Sequence, residues 1–226
     1  MTMRTLLSAI ALPALLIAAP AHANEDVQGW TGVVAQGAVK GDLYIWLEGQ
    51  ARFTDEIGQL GQFILRPAAG IRFAPDASAI AGYAYVQTRS PAGLITREHR
   101  PWQQVQFALL RNRAGKPVVT SRTRLEQRMV EGRTKTGWRL RQFVRAGVPI
   151  TRGGVQAVAF SEGFFNLNTT DFGARSGVDQ WRTFVGIGLP VGKTARIEPG
   201  YLNQRVFRRG EDRTNHVLNA TLFVSL

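Results

Sequence analysis

Cysteine is absent from the 226-residue chain, and long apolar runs are scarce as well. Without cysteine no disulfide framework is available, so an exported protein of this length must be held by a large core or by a closed sheet. Beyond residue 23 no segment approaches the ~18 consecutive apolar residues of a transmembrane helix, and none is therefore predicted.

Histidine is also scarce, because the chain after residue 23 has only His99 and His216. A serine hydrolase needs a nucleophile and a base within hydrogen-bond reach, with a third group orienting the base. His216 has no serine near it on its strand, and His99 ends a long loop that contains Ser90. Neither matches the close His and Ser placement of phospholipase A-type lipases or lipopolysaccharide deacylase barrels. We therefore expect no enzymatic activity, with a lipid-modifying outer-membrane enzyme of the lipase or deacylase type as the alternative.

Metal chemistry has little support in the sequence. Two distant histidines and scattered carboxylates do not give the ligand spacing of a zinc or transition-metal site. Calcium at a loop through Asp171 stays open, although nothing in the spacing favours it. No cofactor is predicted.

The first 23 residues have the pattern of a secretory signal peptide. Arg4 gives a positive start, Leu6–Ala19 an apolar core, and Ala21–Ala23 a small-x-small cleavage site. The alternative is a single membrane anchor, but the apolar run is shorter than the ~20 residues that a spanning helix needs. We predict that residues 1–23 are cleaved and that residues 24–226 form a single β-barrel domain.

The chain is strongly basic, with a formal net charge of +12 that arginine mostly supplies. Nucleic acid is not an expected partner of an exported protein. Anionic solutes, lipopolysaccharide phosphates and acidic glycans are the partners that such a charge favours. Alternatively, interior arginines pair with glutamates and only rigidify the fold.

Residues 118–150 carry arginines at every second position along two runs joined by a short polar turn. Apolar side chains from Val119 to Val148 occupy the other face of each run. A period of two predicts strands. In a soluble sandwich the charged face of this hairpin would meet water, whereas in a membrane barrel it would line the lumen.

The same alternation recurs along the chain, between turns rich in Gly, Pro, Asp and Lys. In one segment, for example, Ile80, Ala84 and Val86 form the apolar face opposite Tyr83 and Tyr85. The candidate strands span residues 28–38, 42–54, 60–74, 79–89, 99–112, 118–131, 136–149, 154–164, 178–190, 194–207 and 214–226. Lengths of about 11 to 14 residues exceed the ~5 to 6 usual in soluble domains and suffice for a tilted membrane strand.

These observations predict an all-β fold, a transmembrane antiparallel β-barrel of the outer-membrane type. Single-chain bacterial barrels have even strand numbers, so we expect 10 or 12 strands. The segment 28–38 would then start on the wrong side, which means that it is not a full barrel strand or that one strand has been missed. A soluble periplasmic binding protein is a further alternative.

The C-terminal segment from Leu218 to Leu226 alternates apolar and other residues up to its last position. Outer-membrane barrels commonly end in such a strand, which the barrel-insertion machinery reads, although the usual last residue is Phe or Trp. The predicted partners are therefore that machinery and the outer-membrane lipid and lipopolysaccharide. The predicted location is the cell outer membrane, with the loops around residues 90–98 and 164–177 facing outward.

Five motifs together resemble the DUF2490 family of uncharacterised exported proteins, and the resemblance covers essentially the whole mature chain. The motifs are Glu98–Gln104, Arg122–Arg128, Arg139–Arg141, Glu162–Asn166 and Gly200–Gln204. The chain departs from the family pattern at Trp181, where asparagine is expected. The resemblance implies an outer-membrane β-barrel and carries no established activity.

Charged residues on the predicted inward faces form the candidate site. Glu48, Glu98, Glu126, Glu162 and Glu198 are the expected counter-ions, because an unpaired buried charge is costly. The predicted lumen charge network comprises Glu48, Arg52, Arg66, Arg72, Glu98, Arg100, Arg122, Arg124, Glu126, Arg128, Arg139, Arg141, Arg145, Glu162, Arg182 and Glu198. It predicts a non-enzymatic narrow pore for small, possibly anionic solutes, or a purely structural barrel.

Overall fold

The computed structural model describes residues 25–226, and all of its regular structure is β-strand. The strands are β1 Glu25–Lys40, β2 Leu43–Thr54, β3 Gln59–Ala74, β4 Ala77–Arg89, β5 Ile95–Arg111, β6 Pro117–Val130, β7 Gly137–Pro149, β8 Gln156–Asn166, β9 Gly177–Val191, β10 Ala195–Val206 and β11 Arg213–Ser225. They lie close to the eleven segments that the alternating pattern indicates. The predicted signal peptide, residues 1–23, lies outside the described residues.

The sheet closes on itself as an eleven-stranded barrel. Ten neighbouring pairs are antiparallel, and β1 pairs with β11 in parallel, with Val33 opposite Leu222. The all-β barrel fold is thereby confirmed, but the expected count of 10 or 12 strands is wrong. An odd number of alternating strands brings the first and last together in the same direction, and their parallel pairing completes the ring.

Asp26 in β1 ties the ends of three strands together near this closure. Its carboxylate accepts a hydrogen bond from Arg213 Nη2 at 2.6 Å and another from the backbone N–H of Glu56 at 3.1 Å. Glu56 lies in the β2–β3 turn, where residues 55–57 all have positive φ angles. The buried carboxylate therefore stabilises both the β1–β11 closure and an otherwise unfavourable turn.

The connections differ between the two ends of the barrel. The short-turn end holds the connections at residues 41–42, 75–76, 112–116, 150–155 and 192–194. The long-loop end holds those at residues 55–58, 90–94, 131–136, 167–176 and 207–212. The loop expected at residues 90–98 is shorter, because β5 already begins at Ile95.

Side chains alternate between the inside and the outside of the barrel. The outer surface carries a broad apolar cover that includes Leu47, Leu65, Val105 and Val185. The inner face carries the charged residues together with two small apolar clusters, one around Trp46 and Trp102 and one around Trp30 and Phe184. The core is thus the filled interior of the barrel itself.

Strand β4 reverses the pattern that its neighbours follow. Ile80, Ala84 and Val86 point inward and are buried, whereas Tyr83 and Tyr85 lie on the outward face. The reversal has a packing cause, because the inward side chains of β4 join the apolar cluster that includes Trp46 and Trp102.

Within residues 25–226 there is no helix with the length and apolar character needed to cross a membrane.

Candidate functional site

The β6–β7 hairpin places like charges directly opposite each other. In the strand register Arg124 faces Arg141, and Glu126 faces Arg139. Like charges across a strand pair repel, so the arrangement requires carboxylates from within the barrel. Glu126 supplies one, accepting from Arg139 Nη2 at 2.6 Å on one oxygen and from Arg141 Nη1 at 2.6 Å on the other.

Two more glutamates serve neighbouring arginines in the same way. Glu98 accepts from Arg100 Nη2 at 2.7 Å and from Arg128 Nε at 2.6 Å. Glu162 accepts from Arg141 Nη2 at 2.7 Å and from Arg122 Nη2 at 3.2 Å. The ion-pair layer, defined as Glu98, Arg100, Glu126, Arg128, Arg139 and Arg141, fills the lumen toward the long-loop end. Each charge in it has a partner of opposite sign, which a buried position demands.

The longest loop, residues 167–176, covers the ion-pair layer from the long-loop end. Thr170 and Ala174 in this loop are buried, and Thr170 N–H donates to the Ala174 carbonyl at 2.9 Å. The Phe172 ring lies 5.4 Å from the guanidinium carbon of Arg128. The loop and the ion-pair layer together close this half of the barrel.

The other half of the lumen is a chamber of about 410 Å³. Its wall runs from Trp30 and Trp46 at mid-height to the turn residues Pro75 and Asp76, so that its mouth lies at the short-turn end. Eight arginines and four carboxylates line it. The arginines are Arg52, Arg66, Arg72, Arg122, Arg124, Arg145, Arg182 and Arg196, and the carboxylates are Glu48, Asp76, Glu162 and Glu198. The chamber is therefore strongly positive.

Neutral amides, instead of carboxylates, hold the chamber arginines Arg52 and Arg124. Arg124 donates from Nε and Nη2 to Gln104 Oε1 at 2.9 and 2.6 Å. Arg52 donates to Gln50 and Gln62. An amide oxygen satisfies the donor but does not neutralise the charge, so these two positions keep positive potential in the chamber.

Several chamber arginines lie over the faces of aromatic rings. The Arg124 guanidinium carbon lies 4.1 Å from the centroid of Trp102 and 5.7 Å from that of Trp46. Trp30 carries Arg52 at 3.9 Å and Arg182 at 4.9 Å. Such contacts attract a cation to the ring face without neutralising it, and they fix where each guanidinium points.

Several buried donors have no hydrogen-bond partner among residues 25–226. Arg66 Nε, Ser78 Oγ and Arg124 Nη1 belong to side chains of the chamber wall. Arg124 Nη1 approaches a carboxylate only at 4.0 Å, from Glu126. Nearly all buried polar atoms in proteins are satisfied, so these three atoms of the chamber wall need an explanation, as do Arg100 Nε and Trp102 Nε1 outside the lining.

All sixteen residues of the predicted charge network lie on the inward face, and the structure brings most of them into ion pairs. Glu48 pairs with Arg66 at 2.5 Å, and Glu198 pairs with Arg145. Arg182 stands 4.0 Å from Glu162. Two predicted members lie outside the buried ion pairs: Arg52 binds amides, and Arg72 lies 3.8 Å from the exposed Asp42 at the chamber mouth.

The sequence reasoning missed the polar and aromatic residues that complete the network. These are Asp26, Trp30, Trp46, Trp102, Gln104, Asp179, Arg196 and Arg213. A signal was present for Trp46 and Trp102, which share the inward alternation of Glu48 and Arg100. Tryptophan is largely apolar, so an apolar–polar alternation does not by itself place it with the charges.

Both histidines within residues 25–226 lie on the outer surface of the barrel. His99 Nδ1 is hydrogen-bonded to the Tyr83 hydroxyl, and His216 Nδ1 lies 2.7 Å from the Tyr201 hydroxyl. The Ser90 hydroxyl oxygen accepts a hydrogen bond from the backbone N–H of Leu94 and makes none with His99.

No group of histidine, aspartate and glutamate within residues 25–226 could hold a metal ion. Asp171 instead binds backbone and side chain of Thr134.

Two loop groups have shifted ionisation. The backbone N–H of Thr134 donates to Asp171 at 2.9 Å and holds the pKa of that carboxyl below its ordinary value. Partial burial, and then the nearby charge of Arg213, lower the pKa of Arg208. The first shift favours a docked, charged Asp171 between the loops at residues 131–136 and 167–176.

Comparison with known proteins confirms the family resemblance. A family model described as a protein of unknown function, DUF2490, matches residues 27–215. An uncharacterised protein of Methylorubrum extorquens is 37% identical over 224 residues, which cover 98% of this chain and 97% of the relative. The family match contains the nine complete strands β2 to β10 and most of the lumen-facing residues described above. The chain belongs to the DUF2490 family.

Proposed function

We propose that this protein is an outer-membrane β-barrel without enzymatic activity, whose positively charged lumen takes up small anionic solutes. Export through a cleaved signal peptide and insertion through the C-terminal strand are part of the proposal. The observation that carries it is the pairing of an apolar outer surface with a chamber lined by eight arginines and four carboxylates.

The outer surface supports a membrane location. Long apolar side chains such as Leu47, Leu65, Val185 and Leu218 are about half exposed or more. Apolar exposure on this scale around a whole barrel is not tolerated in water but matches a lipid surface. The outward strand ends also carry Trp138 and Trp181, the side chain that membrane proteins place at lipid interfaces.

The chamber supports a preference for anions. Excess positive charge in a confined space with low-dielectric walls raises the local concentration of anions and repels cations. The ion-pair layer has to part before a solute can pass from the chamber to the long-loop end. The proposed pore is therefore narrow. The ion-pair layer limits the conductance, and the charge of the chamber selects anions over cations.

Cell fractionation and heat-modifiable gel mobility test the membrane location first. Planar-bilayer recordings with the purified protein then test transport, using the wild type, the double variant Arg124→Ala with Arg141→Ala, and Arg205→Ala as a control outside the lumen. We expect small anion-preferring currents that the double variant changes and the control does not. A protein that fractionates with the soluble periplasm refutes the membrane location. Absent conductance, or a cation preference that the double variant leaves unchanged, refutes the pore and leaves a structural barrel.

A further inference from the structure

We infer that the inner end of the chamber is a binding site for a small amphipathic anion, one with a single phosphate or carboxylate head and an apolar aromatic or acyl body. The inference deepens the proposed function and rests on it for the compartment in which such a molecule is met. It specifies where the head and the body lie.

The head site is the cluster of Arg66, Arg122 and Arg124 beside Trp46. Arg122 and Arg124 have their guanidinium carbons 5.8 and 5.7 Å from the Trp46 centroid, so the two cations stand on the same ring. Arg124 binds a neutral amide, and Arg66 keeps an unpartnered Nε among residues 25–226. Arg66 and Arg122 already pair with Glu48 and Glu162, so the cluster keeps one excess positive charge, at Arg124. An anionic head would supply the opposite charge and the acceptor oxygens that Arg124 lacks.

The body site is a strip of three phenylalanines on the adjoining wall. The rings of Phe143 and Phe160 have centroids 5.0 Å apart, and those of Phe160 and Phe184 stack at 4.8 Å. All three line the chamber, and Arg122 lies over Phe143 at 4.1 Å. The strip therefore begins at the head site. Phe184 is only 1% exposed and packs behind Phe160, so Phe143 and Phe160 present the apolar surface. A fully hydrated inorganic ion would gain nothing from it, whereas an apolar body would be removed from water there.

The size of the chamber agrees with such a ligand. A volume of about 410 Å³ falls in the range of roughly 300 to 1,000 Å³ typical of small-molecule sites. The closed ion-pair layer beneath the head site then makes the chamber a place where an anion is retained.

The test measures ligand binding to the purified, folded mature barrel. Trp fluorescence and calorimetry are the two readouts. The probes are phenyl phosphate and benzoate as complete ligands, phenol as the body alone, and inorganic phosphate as the head alone. We expect phenyl phosphate and benzoate to bind more tightly than phenol or inorganic phosphate, and we expect added salt to weaken their binding. The variants Arg124→Gln and Phe160→Leu should each weaken phenyl phosphate, by roughly tenfold for Arg124→Gln, since a hydrogen bond to a charged group is lost. Arg205→Gln, on the outer surface, should leave binding unchanged.

Heat-modifiable mobility shows that each variant is folded before it is measured. Equal binding of phenol and phenyl phosphate, or wild-type affinity in Arg124→Gln, overturns the inference. Anion-selective currents without binding of any probe also overturn it while leaving the proposed pore intact. Probe binding by a barrel that carries no current retains the site and refutes the pore.

Discussion

Glu126 binds Arg141 across the β6–β7 hairpin, although the strand register places Arg141 opposite another arginine, Arg124. The bond is diagonal, with Arg141 Nη1 at 2.6 Å from Glu126 Oε1, and both side chains are at least nine-tenths buried. Glu126 thus neutralises Arg141 directly, whereas the opposite arginine, Arg124, comes no closer to this carboxylate than 4.0 Å. The stability of the closed half of the barrel depends on it more than on any exposed ion pair.

Replacing this carboxylate by an amide should strongly destabilise the barrel. In Glu126→Gln the buried cations Arg139 and Arg141 lose a shared negative partner, and breaking a buried pair from one side costs about 3 to 5 kcal/mol. The temperature at which heat-modifiable mobility is lost, or urea unfolding in detergent, measures the change. Glu131→Gln is the control, because its carboxylate binds Arg97 with both side chains about half exposed. Equal effects of the two substitutions would contradict the role given to Glu126.

The parallel closure of β1 on β11 is testable in a chain that contains no cysteine. Val33 and Leu222 are paired in the register and both face outward, so Val33→Cys with Leu222→Cys should form a disulfide on mild oxidation. Cross-linking would shift the mobility of the unfolded chain by closing a long loop. Val33→Cys with Leu218→Cys is the control, since Leu218 pairs four residues away with Gly29. Cross-linking of the control pair alone would show a different closure.

The closure also marks the limit of what the sequence could predict. Alternation and turns located all eleven strands, because each of those signals is local to its segment. The pairing of residues 25–36 with 214–225 depends on two distant segments, and the usual even strand number pointed away from it. The inward orientation of the Ile80 and Val86 side chains likewise follows from packing against Trp102. The residue pattern within β4 alone does not predict it.

Arginine positions inside the barrel were predictable for the same local reason, whereas their partners were only partly so. Alternation puts Arg124 on the inward face whatever the fold of the remainder. It does not show that Gln104, on the next strand, takes the place of a carboxylate. The positive charge of the chamber therefore depends on which side chains pair in the folded barrel, and the sequence pattern alone does not predict those pairs.

The tryptophans provide a test of membrane insertion. Trp138 and Trp181 face outward and are 42% and 43% exposed, whereas Trp30, Trp46 and Trp102 are buried inside. In bilayers that contain brominated lipid we expect quenching of the outer pair alone, and the double variant Trp138→Phe with Trp181→Phe should abolish it. Trp46→Phe should leave the amount of emission lost to quenching unchanged. Absence of quenching in the wild type would argue against lipid contact at these two positions.

The loop contact at Asp171 should depend on pH. Hydrogen bonds from Thr134 favour the charged carboxylate, so its folded-state pKa lies below the unfolded value of roughly 3.9. The contact is fully present above that unfolded value and is lost as pH falls through the lower, folded pKa. An NMR titration of the Asp171 carboxyl carbon measures the shift, and an ordinary pKa there would contradict it.

The same contact can be broken at neutral pH by Asp171→Asn. We expect faster tryptic cleavage after Arg133 or Lys135, because the amide accepts the two Thr134 bonds less well. The effect should be partial, since Asn168 still donates to the Thr136 carbonyl at 2.9 Å. Asp212→Asn, in the loop at residues 207–212, is the matched control and should leave this cleavage unchanged. Equal cleavage in the two variants would mean that Asp171 does not hold the loops together.

Gly186 and Gly200 give the sharpest packing test, because they are paired across β9 and β10 and together leave room for one ring. A Cβ on either glycine would lie 2.5 Å from Phe184 Cζ, and it would also meet backbone oxygen, Pro199 O or Val185 O. Backbone cannot move aside as a flexible side chain can, so Gly186→Ala and Gly200→Ala should each cost about 1 to 3 kcal/mol. Gly49→Ala, at a strand glycine with no atom within 4 Å of its added Cβ, should be neutral or slightly stabilising. If all three alanine variants unfold at the same temperature, Phe184 is free to shift, and the phenylalanine strip beside the arginine cluster is not a fixed wall.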